Sequence, residues 1–182
     1  MEIQQAIEIR RSIRAYGDRP VEREKLEAVL RAGNQAPIFG RLHISVFAGP
    51  EQLQAVDAAA VAGMARSGVP FLENLAAQEG YHPLYGAAAL VVLSAPGGLD
   101  EKGFNMANVS CAAENMLLAA AGLGLGSCFL MGPMAAFSDP ALRARLELPG
   151  GYEPLVGVAL GYAALERPAA PERTDAGITW CR

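Results

Sequence analysis

The chain has 182 residues, of which 52% are hydrophobic and 19% charged, enough for one sizeable core and unlike the composition of a disordered polymer. A net charge of −4 and a pI near 5.2 exclude the overall basic field of a nucleic-acid or anionic-membrane binder, so any basic site must be local. The three cysteines lack metal-ligand spacing and the start lacks the features of a signal peptide, which together point to a reducing compartment and a cytoplasmic protein.

Ile3, Ala6 and Ile7 predict a first helix that runs out near Arg10, leaving RRSIRAY irregular or extended. DRPVEREKLEAVLRAG (18–33) reads as a turn and a helix: Pro20 fixes the entry, Glu22 and Glu24 suit the first turn, and Gly33 can close the end. Ala36-Pro37 opens a loop, and HISVFA (43–48) alternates as a strand does. Residues 51–79 read as mostly helical, with a break at Gly68 and Pro70. AAALVVLSA (87–95) is an apolar run of strand length, as expected of a centrally buried strand.

Met106, Val109, Ala113, Met116, Leu117 and Ala120 mark one apolar face of a long helix over 105–121. Its other side carries Asn108, Cys111, Ala112, Asn115 and Ala119, all small or uncharged. Such a face permits close approach of a backbone or a flat ligand, and a core helix explains it as well. Met116 to Phe137 carries no charge, but its glycines and Pro133 divide it into two buried elements and argue against a membrane span. GSCFLMG (126–132) is strand-like. SDPALRARL (138–146) is a short helix with Ser138 as candidate N-cap, and PLVGVALGY (154–162) is the last strand.

Few motifs carry chemistry. The glycines of GLGLGS (122–127) close a helix and precede a strand, the reverse of a dinucleotide fingerprint, so they read as turn glycines. His43 and His82 stand far apart with no cysteine pair near them and read as surface or loop residues; no metal site is expected. No nucleophile elbow or P-loop is present. An enzyme built from this chain therefore needs a cofactor for its chemistry. The distinctive feature is basic: Arg10, Arg11, Arg14 and Arg19 fall within ten residues, with Ser12 among them. Such a group can satisfy a dianionic phosphate by charge-assisted hydrogen bonds. Alternatively, Arg10 and Arg11 cap carbonyls at the end of the first helix.

Over nearly its whole length the chain resembles the FMN-dependent nitroreductase family. The resemblance rests on IEIRRSIRAYGDRPVEREKLEAVLRAGNQAP (7–37), on NMANVSCAAENMLLAAAGLGLGSCF (105–129), and on LGY (160–162) before an Arg-bearing tail. It implies an α+β fold with a central mixed, mostly antiparallel sheet flanked by helices, in a two-fold homodimer. It also implies a single flavin-binding domain over 1–182, with the tail 163–182 on the partner. FMN is the cofactor so implied, with hydride passing from NAD(P)H through flavin to a nitro compound, quinone or similar conjugated acceptor.

Carried over by position, Arg10, Arg11 and Ser12 lie at or beside the flavin phosphate, Arg14 near the ribityl chain and pyrimidine edge, and Arg173, or Arg167 in its stead, at the phosphate from the tail. The backbone of Leu130, Met131 and Gly132 lies near the reactive N5, and no catalytic side chain is needed. Pro37, Ile38, Phe39 and Arg41 belong to a loop used at the flavin across the dimer interface, with Phe39, Arg41 and Asn108 on the substrate side. Asn74 is a candidate for the pyrimidine ring by location. In this loop Ile38, Arg41 and His43 replace the family's usual Ser, Asn and Gln. That departure keeps two other readings open: a specialised flavin enzyme on the same fold (reductive dehalogenase, enoate-type reductase or dehydrogenase), or a non-enzymatic flavin-binding dimer.

Overall fold

Strand β2 (Ala89–Pro96) organises the molecule, since every residue from Ala89 to Ala95 is buried and side chains alternate between two separate cores. The structure is a computed structural model and describes residues 2–97, 103–170 and 177–181. The elements run α1 (Ile3–Ile9), α2 (Arg23–Asn34), β1 (His43–Ala48), α3 (Pro50–Met64), α4 (Pro70–Ala76), β2, α5 (Phe104–Gly122), β3 (Gly126–Leu130), a 3-10 helix (Gly132–Ser138), α6 (Pro140–Ala144) and β4 (Tyr152–Gly161). The sheet order is β1-β2-β4-β3 with every ladder antiparallel. Among the described residues the parallel element expected of a mixed sheet is confined to one isolated bridge, Ser12 to Ser127.

Leu90 and Val92 of β2 face a core built with Val56, Ala60, Leu130 and Phe137, under α3 and the 3-10 helix. Val91 and Leu93 face the other core, with Val29, Val109, Ala113 and Met116 under α2 and α5. The result is three layers, helices on both faces of one sheet. No helix among the described residues is long and apolar enough to cross a membrane.

Two local expectations change. Gly33 does not end α2; it lies inside the helix, where a Cβ would overlap the Met116 side chain, so its role is to let α2 close on α5. Ser138 is not the N-cap of α6. Its hydroxyl donates back to Ala135 O (2.8 Å), and Asp139 caps by accepting from Ala141 N (2.8 Å) and Leu142 N. The 122–127 glycines behave as read: Leu125 N donates to Ala120 O and Gly124 N to Ala121 O, with Gly124 at φ 76°, the hydrogen-bond pattern of a Schellman motif.

Candidate functional site

Helix α1 stops at Arg10, whose backbone is already extended. From there the chain is pinned on both sides. Ile13 N donates to Ser127 O (2.9 Å), Tyr16 N to Tyr85 O (3.3 Å), Gly17 N to Tyr162 O (2.9 Å), and Ala164 N to Ala15 O (3.0 Å). Gly126 makes this possible, because its missing Cβ would stand 3.0 Å from Ile13 Cγ1. In an extended segment alternate residues share a side, which groups Arg10, Ser12 and Arg14 and sends Ile13 into the core.

The arginines are used differently. Arg11 Nη1 donates to Glu8 O and Arg10 O (both 2.7 Å), so it closes α1, while its Nε is buried without a partner among the described residues. Arg10 Nε lies 3.5 Å from Glu114 on α5. Arg14 is exposed and makes no hydrogen bond or ion pair with any described residue. Beneath them Cys128 is buried. Burial pushes its thiol pKa up, and Arg14, the Ser12 hydroxyl and Arg10 pull partly the other way. Two guanidiniums, one of them facing Glu114, and a hydroxyl are donors of the kind that an anion accepts from.

Strand β3 links this cluster to the Leu130–Gly132 turn, since the strand begins beneath Ser12 and ends at Leu130, roughly 10 Å further on. Leu130 is buried, Met131 is exposed, and Gly132 opens the 3-10 helix against Met64 and Leu72. The 37–41 loop lies elsewhere. Asn108, buried on α5, accepts from Phe39 N (3.0 Å) and donates to Phe39 O (2.6 Å), so both ends of its amide are spent on the loop backbone. Phe39 is 84% exposed with its ring 6.4 Å from that of Phe104; Ile38 packs on the α2–α5 core; Pro37 and Arg41 precede and follow on the loop, Arg41 exposed. Asn108 and Glu114 are six residues apart, about 9 Å along the helix and about 120° around it. The loop and the arginine cluster thus occupy different faces of α5. Arg173 lies outside the described residues.

The sequence reading did not single out one feature. A groove of about 430 Å³ is lined by Arg14 and Tyr16 on one side and by Gln78–His82 and Tyr85 on the other. Tyr81 and Tyr85 meet edge to face there, and burial together with the Tyr85 contact pushes the Tyr81 pKa up to about 12. Tyr85 holds a left-handed backbone (φ 56°), unusual for an aromatic residue. His82 lines the groove and bonds Asp57 of α3 through Nδ1 (2.7 Å). Asn74, on α4, is exposed and does not line it. No group of three metal-ligating side chains occurs among the described residues.

The class so defined is a three-layer α+β protein with an arginine–hydroxyl cluster at the start of a sheet strand. Comparison with known proteins makes this specific. The sequence model of the Nitroreductase family matches residues 7–162. A relative from Archaeoglobus fulgidus, described as a candidate NADH dehydrogenase/NAD(P)H nitroreductase, is 32% identical over 163 residues, 87% of this chain and 83% of that protein. The crystal structure of a nitroreductase with bound FMN from Bacteroides fragilis superposes with a TM-score of 0.85 at 30% identity, covering 100% of both chains. A nitroreductase with bound FMN from Desulfitobacterium hafniense shares the fold, with a TM-score of 0.81 at 23% identity over 97% of this chain and 100% of that one. The chain belongs to the nitroreductase family and is an oxidoreductase.

Proposed function

We propose that this chain is an FMN-dependent oxidoreductase that takes hydride from NAD(P)H and passes it to a nitro compound, quinone or similar conjugated acceptor. The observation that carries the reading is the Arg10–Ser12–Arg14 side of the pinned segment, which gathers two guanidiniums and a hydroxyl in an acidic chain, Arg10 facing the exposed Glu114 and Arg14 paired with no described residue. These residues fit FMN. Arg10 and Ser12, with Arg173 from the tail, suit its phosphate, because a dianion takes charge-assisted hydrogen bonds from a guanidinium and a hydroxyl. Arg14 suits the pyrimidine edge, where a fixed cation stabilises the negative charge of the reduced ring. The Leu130–Gly132 backbone lies at the opposite end of β3 from the phosphate side. When bound, the flavin accepts hydride and releases it; the chain binds, orients and shields it.

The protein is proposed to be one domain that works as a homodimer in the cytoplasm. Phe104, Ala107, Cys111 and Glu114 are exposed along one stripe of α5, a face suited to a second copy. The outer edge of β1 pairs with no strand among the described residues, while Ile178 and Trp180 of the tail are 74% and 83% exposed. A tail crossing to the partner would cover both. A dimer also gives the 37–41 loop a place at the partner's flavin, since it does not join the arginine cluster of its own chain.

The test is FMN titration into apo protein, followed by flavin fluorescence. Loss of a charge-assisted contact costs about 1.5–3 kcal/mol, so Arg10→Ala should weaken FMN binding by roughly ten- to hundredfold, and Arg173→Ala likewise, while Arg41→Asn should not weaken it. A colourless protein that takes up no FMN at micromolar concentration would overturn the proposal. Retention of full affinity by Arg10→Ala would overturn the assignment of the phosphate end.

A further inference from the structure

Helix α4 is held differently from the rest of the molecule. It has 7 residues, too few for a helix to persist in water by itself, and none of them is buried. Among the described residues, every hydrogen bond recorded for 68–80 stays within 67–81. Gly68 N donates to Glu73 Oε1 (3.0 Å), Val69 N to the Ser67 hydroxyl (3.2 Å) and Gln78 N to Leu75 O (3.1 Å). Side-chain packing therefore fixes α4. Leu72, Leu75 and Ala76 are half-buried, and Leu72 reaches the turn after β3: a Cβ on Gly132 would stand 3.8 Å from Leu72 Cδ2 and 3.5 Å from the Met64 sulfur. Large apolar side chains beside this contact are left in the open. Phe71, next to Leu72, is 69% exposed, and Met131, next to Gly132, is 55% exposed. Phe71 lies about 40° around the helix from Leu75, at the edge of the packed face and not opposite it. Beyond α4 the chain continues into Gln78–His82, the wall of the Arg14 groove. One segment thus meets both places given above to the flavin ring, the pyrimidine edge at Arg14 and the Leu130–Gly132 turn.

We propose that α4 is the acceptor-side wall of the site, where Phe71 and Met131 hold the fused apolar ring of a bicyclic quinone or nitroarene beside the Leu130–Gly132 turn. The inference rests on the flavin reading above, which puts the reacting edge of the ring at that turn. A flat ring system gains by stacking on a phenyl ring and by contact with a thioether sulfur, and covering both side chains removes apolar surface from water. Position makes the wall selective. The turn receives the part of the acceptor that reacts, so a second fused ring is what reaches Phe71, and a single-ring acceptor leaves Phe71 largely uncovered. Few buried contacts and no hydrogen bond tie α4 to the body, so it adjusts to the ring it meets at little cost. Phe71 is in this way the residue that sets acceptor size.

The probes are 2,3-dimethyl-1,4-naphthoquinone and the single-ring tetramethyl-1,4-benzoquinone. Their quinone rings have no free position for a thiol to add, so the exposed Cys111 and Cys181 do not interfere. In the FMN-loaded, oxidised protein, which reduces neither probe, ¹³C-methyl NMR of the 6 methionines should show the naphthoquinone moving Met131 and leaving the buried Met116 in place. Met131→Leu assigns the signal. In single-turnover reoxidation of pre-reduced enzyme, Phe71→Ala should raise the half-saturating naphthoquinone concentration roughly tenfold and that of the benzoquinone by no more than about twofold. Phe71→Trp should restore naphthoquinone binding. Phe71 is exposed, so both variants should keep the fold, the FMN content and the sedimentation of wild type. Protein that takes up no FMN overturns the proposed function, and this wall with it. FMN-loaded protein overturns the wall alone if Met131 ignores the naphthoquinone, if Phe71→Ala weakens both quinones equally, or if that variant loses FMN or dissociates a dimer, which would give Phe71 to the cofactor or to the second copy.

Discussion

Asn108 holds the 37–41 loop, and its removal tests whether that loop is pre-shaped. Its amide accepts from Phe39 N at 3.0 Å and donates to Phe39 O at 2.6 Å. A net hydrogen bond contributes about 0.5–1.5 kcal/mol, so Asn108→Ala should cost about 2 kcal/mol in all. For a chain of this size that is a fall in Tm of roughly 4–8 °C. The effect should be local, because Asn108 is the only partner recorded for Phe39 N among the described residues. Amide exchange at Phe39 should therefore accelerate far more than exchange in β2. Asn108→Asp is the sharper probe: one oxygen still accepts from Phe39 N, but the other faces Phe39 O with no proton between them. The introduced carboxyl should titrate above its ordinary range, so the destabilisation is present above its folded pKa and relieved as pH falls through it. Thermal melts against pH and exchange at Phe39 read both effects. If Asn108→Ala leaves Phe39 exchange unchanged and Tm within about 1 °C, the loop is held by something else.

Two further perturbations address the frame around the site. A Cβ at Gly63 would overlap the backbone carbonyl of Ala135, whereas one at Gly33 would overlap the Met116 side chain, which has rotamers to use. Chemical denaturation should show both alanine variants destabilised, each by about 1–3 kcal/mol, with Gly63→Ala the worse and Gly33→Ala partly rescued by Met116→Ala; the reverse order would contradict the packing account. At the other end, the Tyr162 hydroxyl above all, then the backbone of Glu22 itself and Arg19, lower the Glu22 pKa from 4.5 to about 2. A depressed carboxyl stabilises the fold above its unfolded pKa and loses that contribution as pH falls through the folded one. Glu22→Gln should accordingly be less stable than wild type at neutral pH, with the gap closing between about 4.5 and about 2; a constant offset in melts across that range would refute it.

Where burial imposes a period, the sequence was readable. β2 shows as an uninterrupted apolar run because both faces of the sheet are covered, and α5 shows as a 3.6-residue stripe because one side rests on the sheet. Reading fails where one residue type serves two physical roles. Gly33 near a helix end fits a terminator, yet the helix needs its missing side chain for the approach of Met116. Ser138 and Asp139 are both good caps, and adjacency in sequence does not say which will bond back to the 3-10 helix and which forward to α6. Asn108 lies among small residues on a helix, as a ligand-facing amide would, and only tertiary structure shows its two polar ends spent on Phe39. Asp57 and His82 are 25 residues apart and belong to different segments, so no local pattern could have paired them.

The RRSIR segment presented the ambiguity that matters most: phosphate site or helix cap. The structure shows the capping role in one arginine and leaves others for the proposed phosphate site, so the two readings do not compete for the same residue. Once the chain leaves α1 extended, neighbouring side chains diverge. Arg11 turns back to the carbonyls of Glu8 and Arg10 and closes the helix, and Ile13 enters the core beside Gly126. Arg10, Ser12 and Arg14 are left together on the remaining side. A continuous helix through this stretch would keep Arg10 and Arg14 on one face but turn Ser12, about 200° around the axis, to the opposite side, and a free loop would not hold them. Anchoring the segment to Ser127, Tyr85 and Tyr162 is therefore what turns a basic run into a site, and variants that loosen those anchors should weaken anion binding while every arginine remains present.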